Sequence, residues 1–259
     1  RHVGRMISRF APLAALALCA SALPAVAQPS FDDVVTTDVL QGWDLPDGRR
    51  LAAVRLSLAP GWKTYWRAPG DAGIPPHFDW SRARNLGDVA ITWPTPRVYV
   101  QNGMRSIGYK GEVVIPMHVT PATPGRPVPH KVKSDTMLDV PDPRPTPAIV
   151  AALADAPYAA SEAGVRSATC HLRPTDHGME IEAHVALPHT GSTEVAVIET
   201  GTAGLWISEA RTRREGDTVV AVSEMIHPDG GAFGIDRSAV RITILGGDYA
   251  VDVKGCTAG

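Results

Sequence analysis

Cysteine, aromatic residues and an excess of charge of either sign are all scarce in this 259-residue sequence. It has 3 cysteines, 6% aromatic residues, and 25 basic against 27 acidic side chains, for a formal net charge of -2. This balance argues against a nucleic-acid-binding protein, because contacts with phosphates need a basic face. Hydrophobic residues make up 44% of the chain, which excludes a globally disordered protein.

Long hydrophobic runs are missing beyond the N-terminus, where no stretch approaches the ~18–20 apolar residues of a membrane-spanning helix. The N-terminus itself has the order of a secretory signal peptide. Three arginines come first, an apolar run follows at 10–18, and an A-x-A site ends at Ala27. That run is too short for a membrane anchor, and Leu18 before Cys19 disfavours lipidation. We therefore predict a signal peptide at 1–27, export to the periplasm and a soluble mature protein with no stable membrane insertion.

Two cysteines remain after the predicted cleavage, Cys170 and Cys256, 86 positions apart. An even number of cysteines in an exported protein most simply forms one disulfide. Closing a loop of this size is worth about 4–5 kcal/mol in the loop-entropy model. Two buried free thiols and a redox-active pair are the alternatives. We predict a structural bridge, because the two cysteines are distant in sequence and flank a whole predicted sandwich. The nearby Arg166 and His171 give only weak support for a reactive thiol.

Proline and glycine are abundant, with 23 and 24 residues, which favours turns and disfavours a helical bundle. Apolar positions alternate at 51–58, and β-rich runs follow at 89–93, 98–100 and 112–119. The first of these runs places four apolar residues on one face: Ala52, Val54, Leu56 and Leu58. Pro116 within the last run indicates an edge strand or a β-bulge.

Eight prolines between positions 120 and 147 interrupt the strand pattern, and they are incompatible with a helix or a central strand. This stretch is predicted to be an extended linker, with one or two helical turns at 148–154. Apolar alternation returns at 181–187, and further strand-like runs continue to residue 253. Six or seven strands at this spacing are typical of a β-sandwich.

The predicted fold class is therefore all-β, with two sandwich domains joined by a Pro-rich segment. The predicted boundaries are a first sandwich at 28–130, a Pro/Ala-rich linker at 131–160 and a second sandwich at 161–259. If Cys170 and Cys256 are bonded, the bridge ties together the two ends of the second sandwich.

Recognisable catalytic and metal-binding motifs are sparse. There is no G-x-S-x-G motif and no other recognisable nucleophile motif. His171, His177, His184 and His189 lie near Cys170, but they lack the tight pairs that bind zinc. We predict no catalytic residue, no metal site and no cofactor.

Two roles are open for the aromatic residues of the segment that begins at Trp62. Exposed tryptophan and tyrosine side chains can stack on sugars, so a carbohydrate-binding module is one hypothesis; packing in the core is the other, which we favour. In an alternating strand Trp62 and Trp66 share one face, and Lys63, Tyr65 and Arg67 share the other. We predict that the two tryptophans point inward and the polar-tipped set outward.

A series of motifs runs along most of the chain. It comprises GWKTYWRAPGDAG at 61–73, FDW at 78–80, WP at 93–94, SIGYKGEV at 106–113, DHGM at 176–179, ISEA at 207–210, DRS at 236–238 and GC at 255–256. The series resembles the periplasmic N-terminal region of the thiol:disulfide interchange protein DsbD family. Within that family it is most similar to the ScsB-like, alphaproteobacterial branch, over nearly all of residues 31–256.

This resemblance implies an immunoglobulin-like sandwich that accepts electrons from a membrane-embedded domain and passes them to periplasmic thioredoxin-like proteins. The family does so through a close cysteine pair just before a proline. The matching stretch here, 133–141, has no cysteine, and exchange requires a thiolate that attacks a sulfur. We therefore expect a non-catalytic interaction module of the disulfide or cytochrome-maturation system. The alternatives are an active thiol:disulfide oxidoreductase that uses Cys170 and Cys256, and a carbohydrate-binding module.

The expected partners follow from the same resemblance: a periplasmic thioredoxin-like protein or a DsbD-type membrane protein. Exposed tyrosine side chains are favoured at protein interfaces, which makes the outward face of the first motif a candidate docking surface. The predicted docking residues lie in or near the motifs: Lys63, Tyr65, Arg67, Asp71 and Tyr109.

Overall fold

The computed structural model describes residues 30–71, 73–126, 128 and 141–259. The predicted signal peptide at 1–27 and nearly all of the cysteine-free stretch at 133–141 lie outside these residues. Among the described residues, no helix has the length and apolar character needed to cross a membrane.

The first half of the protein contains a short helix, seven strands and the helix that follows the Pro-rich segment. These elements are α1 (Phe31–Val34), β1 (Val35–Asp44), β2 (Arg50–Leu58), β3 (Lys63–Gly70), β4 (Leu86–Ile91), β5 (Arg97–Gln101), β6 (Met104–Lys110), β7 (Glu112–Pro121) and α2 (Pro147–Ala154). We call them the first half. The strands predicted from alternation at 51–58, 89–93, 98–100 and 112–119 all fall on observed strands, with shifts of a few residues at their ends.

The second half, as we call it, is built from strands alone. These strands are β8 (Tyr158–Ala159), β9 (Ser167–Pro174), β10 (Met179–Ala186), β11 (Val195–Glu199), β12 (Trp206–Ile207), β13 (Arg211–Glu215), β14 (Thr218–Ile226), β15 (Arg241–Gly246), β16 (Tyr249–Lys254) and β17 (Thr257–Ala258). The alternation predicted at 181–187 is confirmed, because Ile181, Ala183, Val185 and Leu187 are all buried. The chain is all-β apart from its short helices, as the sequence predicts.

Four sheets organise these strands. In the first half, sheet A has the order β1-β2-β7-β4 and sheet B the order β3-β6-β5. In the second half, sheet C has the order β11-β15-β16-β8. Sheet D has the order β12-β14-β10-β9-β17, and β13 also pairs with β14. Apolar side chains on the facing surfaces of sheets C and D form one core, as in other sandwiches.

Pro116 does not mark an edge strand, contrary to the sequence prediction. Its strand, β7, lies between β2 and β4 in the middle of sheet A. The pairing with β4 ends at Met117, and the carbonyl of Pro116 accepts a hydrogen bond from Thr92 beyond that end. The nitrogen of a strand residue faces the same side as its carbonyl. The missing N–H of Pro116 therefore lies beyond the last residue pair between β7 and β4. It does not interrupt the hydrogen bonds between these two strands, and β7 remains intact.

Helix α2 packs on the outer face of sheet A, where Ile149 is fully buried against Leu51 and Ala53. Pro147 occupies the first turn, where its missing N–H removes no helical hydrogen bond. The helical turns expected at 148–154 are therefore confirmed. The division into two domains joined by a linker at 131–160 stays a prediction.

Strand β15 contributes side chains to the cores of both halves, with each of its faces packed into one core. Ile242 and Ile244 point into the core between sheets C and D. Leu245 belongs instead to the core of the first half, together with Ala250 of β16. Sheet C thus contributes one face to each core, and the first half packs against the outer face of sheet C.

Strand β13 was missed by sequence reasoning, because Arg211–Glu215 (RTRRE) has no apolar residue to mark an inward face. Its inward positions are occupied by polar side chains instead. Thr212 accepts a hydrogen bond from the backbone N–H of Ala196, and Arg214 forms an ion pair with Glu194. Polar groups buried with partners replace the usual hydrophobic signal.

Candidate functional site

The motif at 61–73 forms strand β3 and the turn after it, and this segment lies between the two halves. Trp66 is completely buried in the core of the first half, whereas Trp62 precedes the strand and is 47% exposed. The prediction that both tryptophans point inward is therefore right for Trp66 and wrong for Trp62. A buried Trp66 cannot stack on a sugar, which removes one of the aromatic groups that the carbohydrate hypothesis needs.

Lys63 and Tyr65 are half-buried residues of β3. The ammonium of Lys63 donates a hydrogen bond to the hydroxyl of Ser106 at 2.6 Å and lies 5.7 Å from the centre of the Tyr65 ring. Both side chains retain exposed surface. They remain candidates for the docking surface predicted from the sequence.

Arg67 is not on an outward face, which corrects the prediction for this residue. Only 12% of its side chain is exposed, and its guanidinium forms an ion pair with Glu199 at 3.0 Å. It also donates to the hydroxyl of Thr243 and stacks on the ring of Trp66, 3.8 Å from its centre. The pairing of β3 with β6 shifts register between Tyr65 and Gly70, so strict alternation is lost here. Sheet C then covers the arginine.

The Arg67 ion pair belongs to a larger polar network at the contact between the halves. Asp252 lies 3.9 Å from Arg67 and accepts two hydrogen bonds from Arg241. Burial lowers the pKa of Arg67, and the charge of Glu199 opposes that shift. Breaking such a pair leaves an uncompensated charge, so this network favours one relative placement of sheets B and C.

Tyr109 is also misplaced by the sequence prediction, because only 6% of it is exposed. Its hydroxyl donates a hydrogen bond to the carbonyl of Pro94 at 2.8 Å, and burial raises the pKa of the phenol. Tyr109 therefore anchors strand β6 to the segment before β5. It presents no surface to a partner.

Asp71 is exposed, as predicted, and it meets Glu209 of the second half. One oxygen of Asp71 accepts a hydrogen bond from the backbone N–H of Arg105 at 3.1 Å, and the Arg105 side chain forms an ion pair with Glu209. Burial and the hydrogen bond with Asp71 raise the pKa of the Glu209 carboxyl from 4.5 to about 7, against the charge of Arg105. The same hydrogen bond lowers the pKa of Asp71.

This carboxyl pair predicts an unusual pH dependence of stability. The folded-state pKa of Glu209 lies above its ordinary value, so the proton on Glu209 stabilises the folded protein below pH 4.5. That stabilisation is lost as the pH rises from 4.5 to about 7. Because the pair is partly exposed to solvent, we expect a loss of only about 1 kcal/mol. Thermal unfolding on the two sides of this window measures it.

The matched control for this prediction is Glu209→Gln. The amide keeps a donor for Asp71 but cannot titrate, so the decrease in melting temperature across the window should become smaller. An unchanged decrease in the variant would show that other groups cause the pH dependence.

Two motif glycines are required by close contacts. A Cβ atom on Gly108 would lie 2.0 Å from the carbonyl oxygen of Thr64, and one on Gly73 would lie 2.5 Å from the ring of Tyr65. Gly108 lets β6 approach β3, and Gly73 makes room for the Tyr65 ring. These two glycines therefore serve the architecture of the first half.

The disulfide predicted between Cys170 and Cys256 is present, with a Cα–Cα distance of 5.7 Å. Cys170 lies in β9 and has no exposed surface, while Cys256 follows β16 and is half-buried. Arg237 braces the bridge: its carbonyl accepts a hydrogen bond from the Cys256 backbone, and its side chain donates to the Cys170 carbonyl. Cys170 is therefore enclosed within the second half, whereas Cys256 retains some exposed surface.

The histidines near Cys170 are not all brought together by the fold. His184 contacts Glu182 at 2.8 Å and packs its ring against His171, while His177 and His189 are exposed. Across the part of the chain that the structure describes, no group of three or more His, Cys, Asp and Glu side chains is placed to hold a metal ion.

Glu199, Arg105 and Glu209 were missed as members of these polar clusters. Glu209 falls in the ISEA motif, which was the one available signal. Arg67 and Glu199 are 132 positions apart, and no local pattern connects them.

Residues 32–137 match the family model for the N-terminal region of the thiol:disulfide interchange protein DsbD. The match covers less than half of the chain, and over these residues it confirms the resemblance to that family seen in the sequence.

Among solved structures, the chain is similar to the N-terminal periplasmic domain of ScsB from Proteus mirabilis. The TM-score is 0.63 at 18% identity, with 90% of this chain and 97% of that chain covered. At this identity the likeness shows a shared fold that extends through the second half. A comparison with curated proteins finds no match. The alphaproteobacterial branch stays a prediction.

Proposed function

We propose that this protein is a periplasmic interaction module of the thiol-disulfide interchange system with no thiol chemistry of its own. The family match over residues 32–137 supports the system, and the periplasmic origin of the similar ScsB domain supports the compartment. The proposed export signal at 1–27 agrees with that compartment.

The burial of Cys170 within the disulfide is the observation that carries this proposal. Thiol-disulfide exchange needs a thiolate that reaches a sulfur in line with the bond, and then a second thiol that resolves the mixed disulfide. The stretch at 133–141 supplies no cysteine. Of the two cysteines in the bridge, Cys170 is the one with 0% exposure. A partner's thiolate has no approach to Cys170 in the folded protein.

The proposed partner is a periplasmic thioredoxin-like protein or a DsbD-type membrane protein. Of the residues predicted to dock it, Lys63, Tyr65 and Asp71 have exposed surface and remain in the proposal. Arg67 and Tyr109 support this surface from beneath. Binding without electron transfer would make the module a scaffold or a competitor in the exchange system.

The test is a thiol-transfer assay between the mature protein and a periplasmic thioredoxin-like protein, started from each redox state. We expect no transfer of electrons and no covalent complex with a partner that lacks its resolving cysteine. The reason is that Cys170 has no exposed surface, and structural disulfides of exported proteins resist reduction. Mass spectrometry of alkylated samples follows both species.

Unfolded protein in denaturant is the positive control, because its bridge is accessible and should exchange. Rapid stoichiometric exchange by the folded protein, abolished in Cys256→Ser, would instead establish an active oxidoreductase that uses Cys170 and Cys256. Exchange that persists in Cys170→Ala/Cys256→Ala, which has no cysteine after the predicted cleavage, would identify a contaminating thiol.

A further inference from the structure

A large cavity opens on the inner face of sheet A, in the first half of the protein. Its volume is about 1030 Å³. Strands β1, β2, β4 and β7 form its floor, and the segments at 62–65 and 76–83 form its walls. Pockets that bind small organic molecules have volumes of ~300–1,000 Å³, so this cavity is large enough for a ligand of that kind.

The floor of the cavity is apolar and incompletely covered. On β7, the inward residues Ile115 and Met117 are buried beneath sheet B. On β2, Val54 and Leu56 face the same side and are only half-buried, as is Val39 on β1. Sheet B has three strands against the four of sheet A, so its cover ends before it reaches β1. Half-buried aliphatic side chains are therefore left inside a concave surface.

Aromatic rings form part of the wall. Phe78 and Trp80 stack with ring centres 5.7 Å apart, and the edge of Phe78 also meets Trp93. These rings come from a segment without strands that is held by packing on sheet A. Trp62, the exposed tryptophan of the first motif, also lines the cavity. An aliphatic floor and aromatic walls bind an apolar chain far better than a sugar, which needs many polar partners.

The charged residues that line the cavity are mainly basic. They are Lys63 and Arg82, against one acid, Asp79, and His77 also lines the cavity. Asp79 is exposed, and its carboxylate accepts a hydrogen bond from the backbone N–H of Ser81. Arg82 and His77 are exposed at the rim. This arrangement favours an anionic group at the mouth above an apolar interior.

We propose that this cavity binds an amphipathic anion with a single acyl chain, the chain lying on sheet A and the anionic head near Arg82. A free fatty acid and a lysophospholipid share this chemistry. Lys63 and Tyr65, which remain candidates for the docking surface, also line this cavity, but the test of ligand binding requires no thioredoxin-like partner.

The test is fluorescence titration of the mature protein with cis-parinaric acid, a fluorescent long-chain fatty acid. We expect saturable binding, and we expect Leu56→Trp to weaken it about tenfold or more by filling the floor. Val100→Trp is the matched control, because Val100 is 71% exposed and lies outside the cavity. Val54→Phe is a second filling variant if Leu56→Trp does not fold.

A second pair of variants tests whether the positive charge at the mouth of the cavity binds the anionic head. Arg82→Ala should weaken binding of the acid about three- to tenfold and leave its methyl ester unaffected, whereas Arg84→Ala should change neither. Arg84 is also exposed but does not line the cavity.

Displacement of the probe by oleate or by lysophosphatidylglycerol identifies which source of the acyl chain the cavity accepts. The proposal would be overturned if neither oleate nor lysophosphatidylglycerol displaced the probe, or if the probe showed no saturable binding. It would also be overturned if both filling variants bound the probe with the affinity of the wild type.

Discussion

Replacement of Trp66 by alanine is expected to lower the free energy of unfolding by about 3–5 kcal/mol, since it removes a fully buried aromatic side chain and leaves a cavity. The change also removes the ring on which the guanidinium of Arg67 stacks, 3.8 Å from the ring centre. Arg67 holds the ion pair with Glu199 between the halves, so the effect should extend beyond local packing. Chemical denaturation of the purified mature protein measures the change.

Trp62→Ala is the matched control, because it removes the same side chain from the same motif at a position that is 47% exposed. Its effect should stay within about 0.5–1 kcal/mol. Equal stability of wild type and Trp66→Ala would show that Trp66 is not a core residue, and the stacking role would regain support.

Loss of the disulfide is the second change with a large expected effect. The double variant Cys170→Ala/Cys256→Ala should be less stable by about 2–5 kcal/mol. The bridge closes a loop of 86 positions that contains nearly the whole second half. Without the bridge, β9 and the C-terminal segment that pairs with it are no longer covalently linked. The Arg237 side chain, which donates a hydrogen bond to the Cys170 carbonyl, lies at the same place. Thermal and denaturant unfolding of the two proteins under oxidising conditions give the difference.

Wild-type protein whose disulfide is reduced after unfolding provides an independent measurement of the stability that the bridge contributes. The reduced wild type and the double variant should have similar stability, because both lack the covalent constraint. A double variant as stable as the oxidised wild type would mean that the bridge does not constrain the unfolded chain. In that case its role would be chemical, and the redox alternative for Cys170 and Cys256 would need to be reopened.

Much of the secondary structure could be predicted because its signals are local. Alternation in β2 and β10 identifies both the strands and their buried faces, and Pro147 indicates the start of helix α2. Strand β13 lacks that signal, because its inward side chains are polar and are satisfied by partners in other strands. Pro116 gave a misleading signal, since the consequence of a missing N–H depends on which neighbouring strand it faces.

Candidate site residues were harder to predict, because a residue's role there depends on how the sheets pack. Alternation predicts that Arg67 accompanies Lys63 and Tyr65, but a register shift and the cover of sheet C make it a buried ion-pair partner. Tyr109 has a polar tip that is typical of exposed interface residues, yet its hydroxyl is satisfied by a backbone carbonyl in the core. Neither outcome has a local signal.

Reading the sequence was enough to predict the all-β class, most of the strands, the pairing of Cys170 with Cys256 and the resemblance to the DsbD N-terminal family. These follow from alternation, proline positions, cysteine number and motif identity, which are properties of neighbouring residues. Which motif residues reach the surface became clear only from the packing of the sheets. The same is true of the contact between Asp71 and Glu209 and of the apolar cavity on sheet A. These features arise where sheets from distant parts of the chain meet, and the free energy of that packing depends on many residues at once.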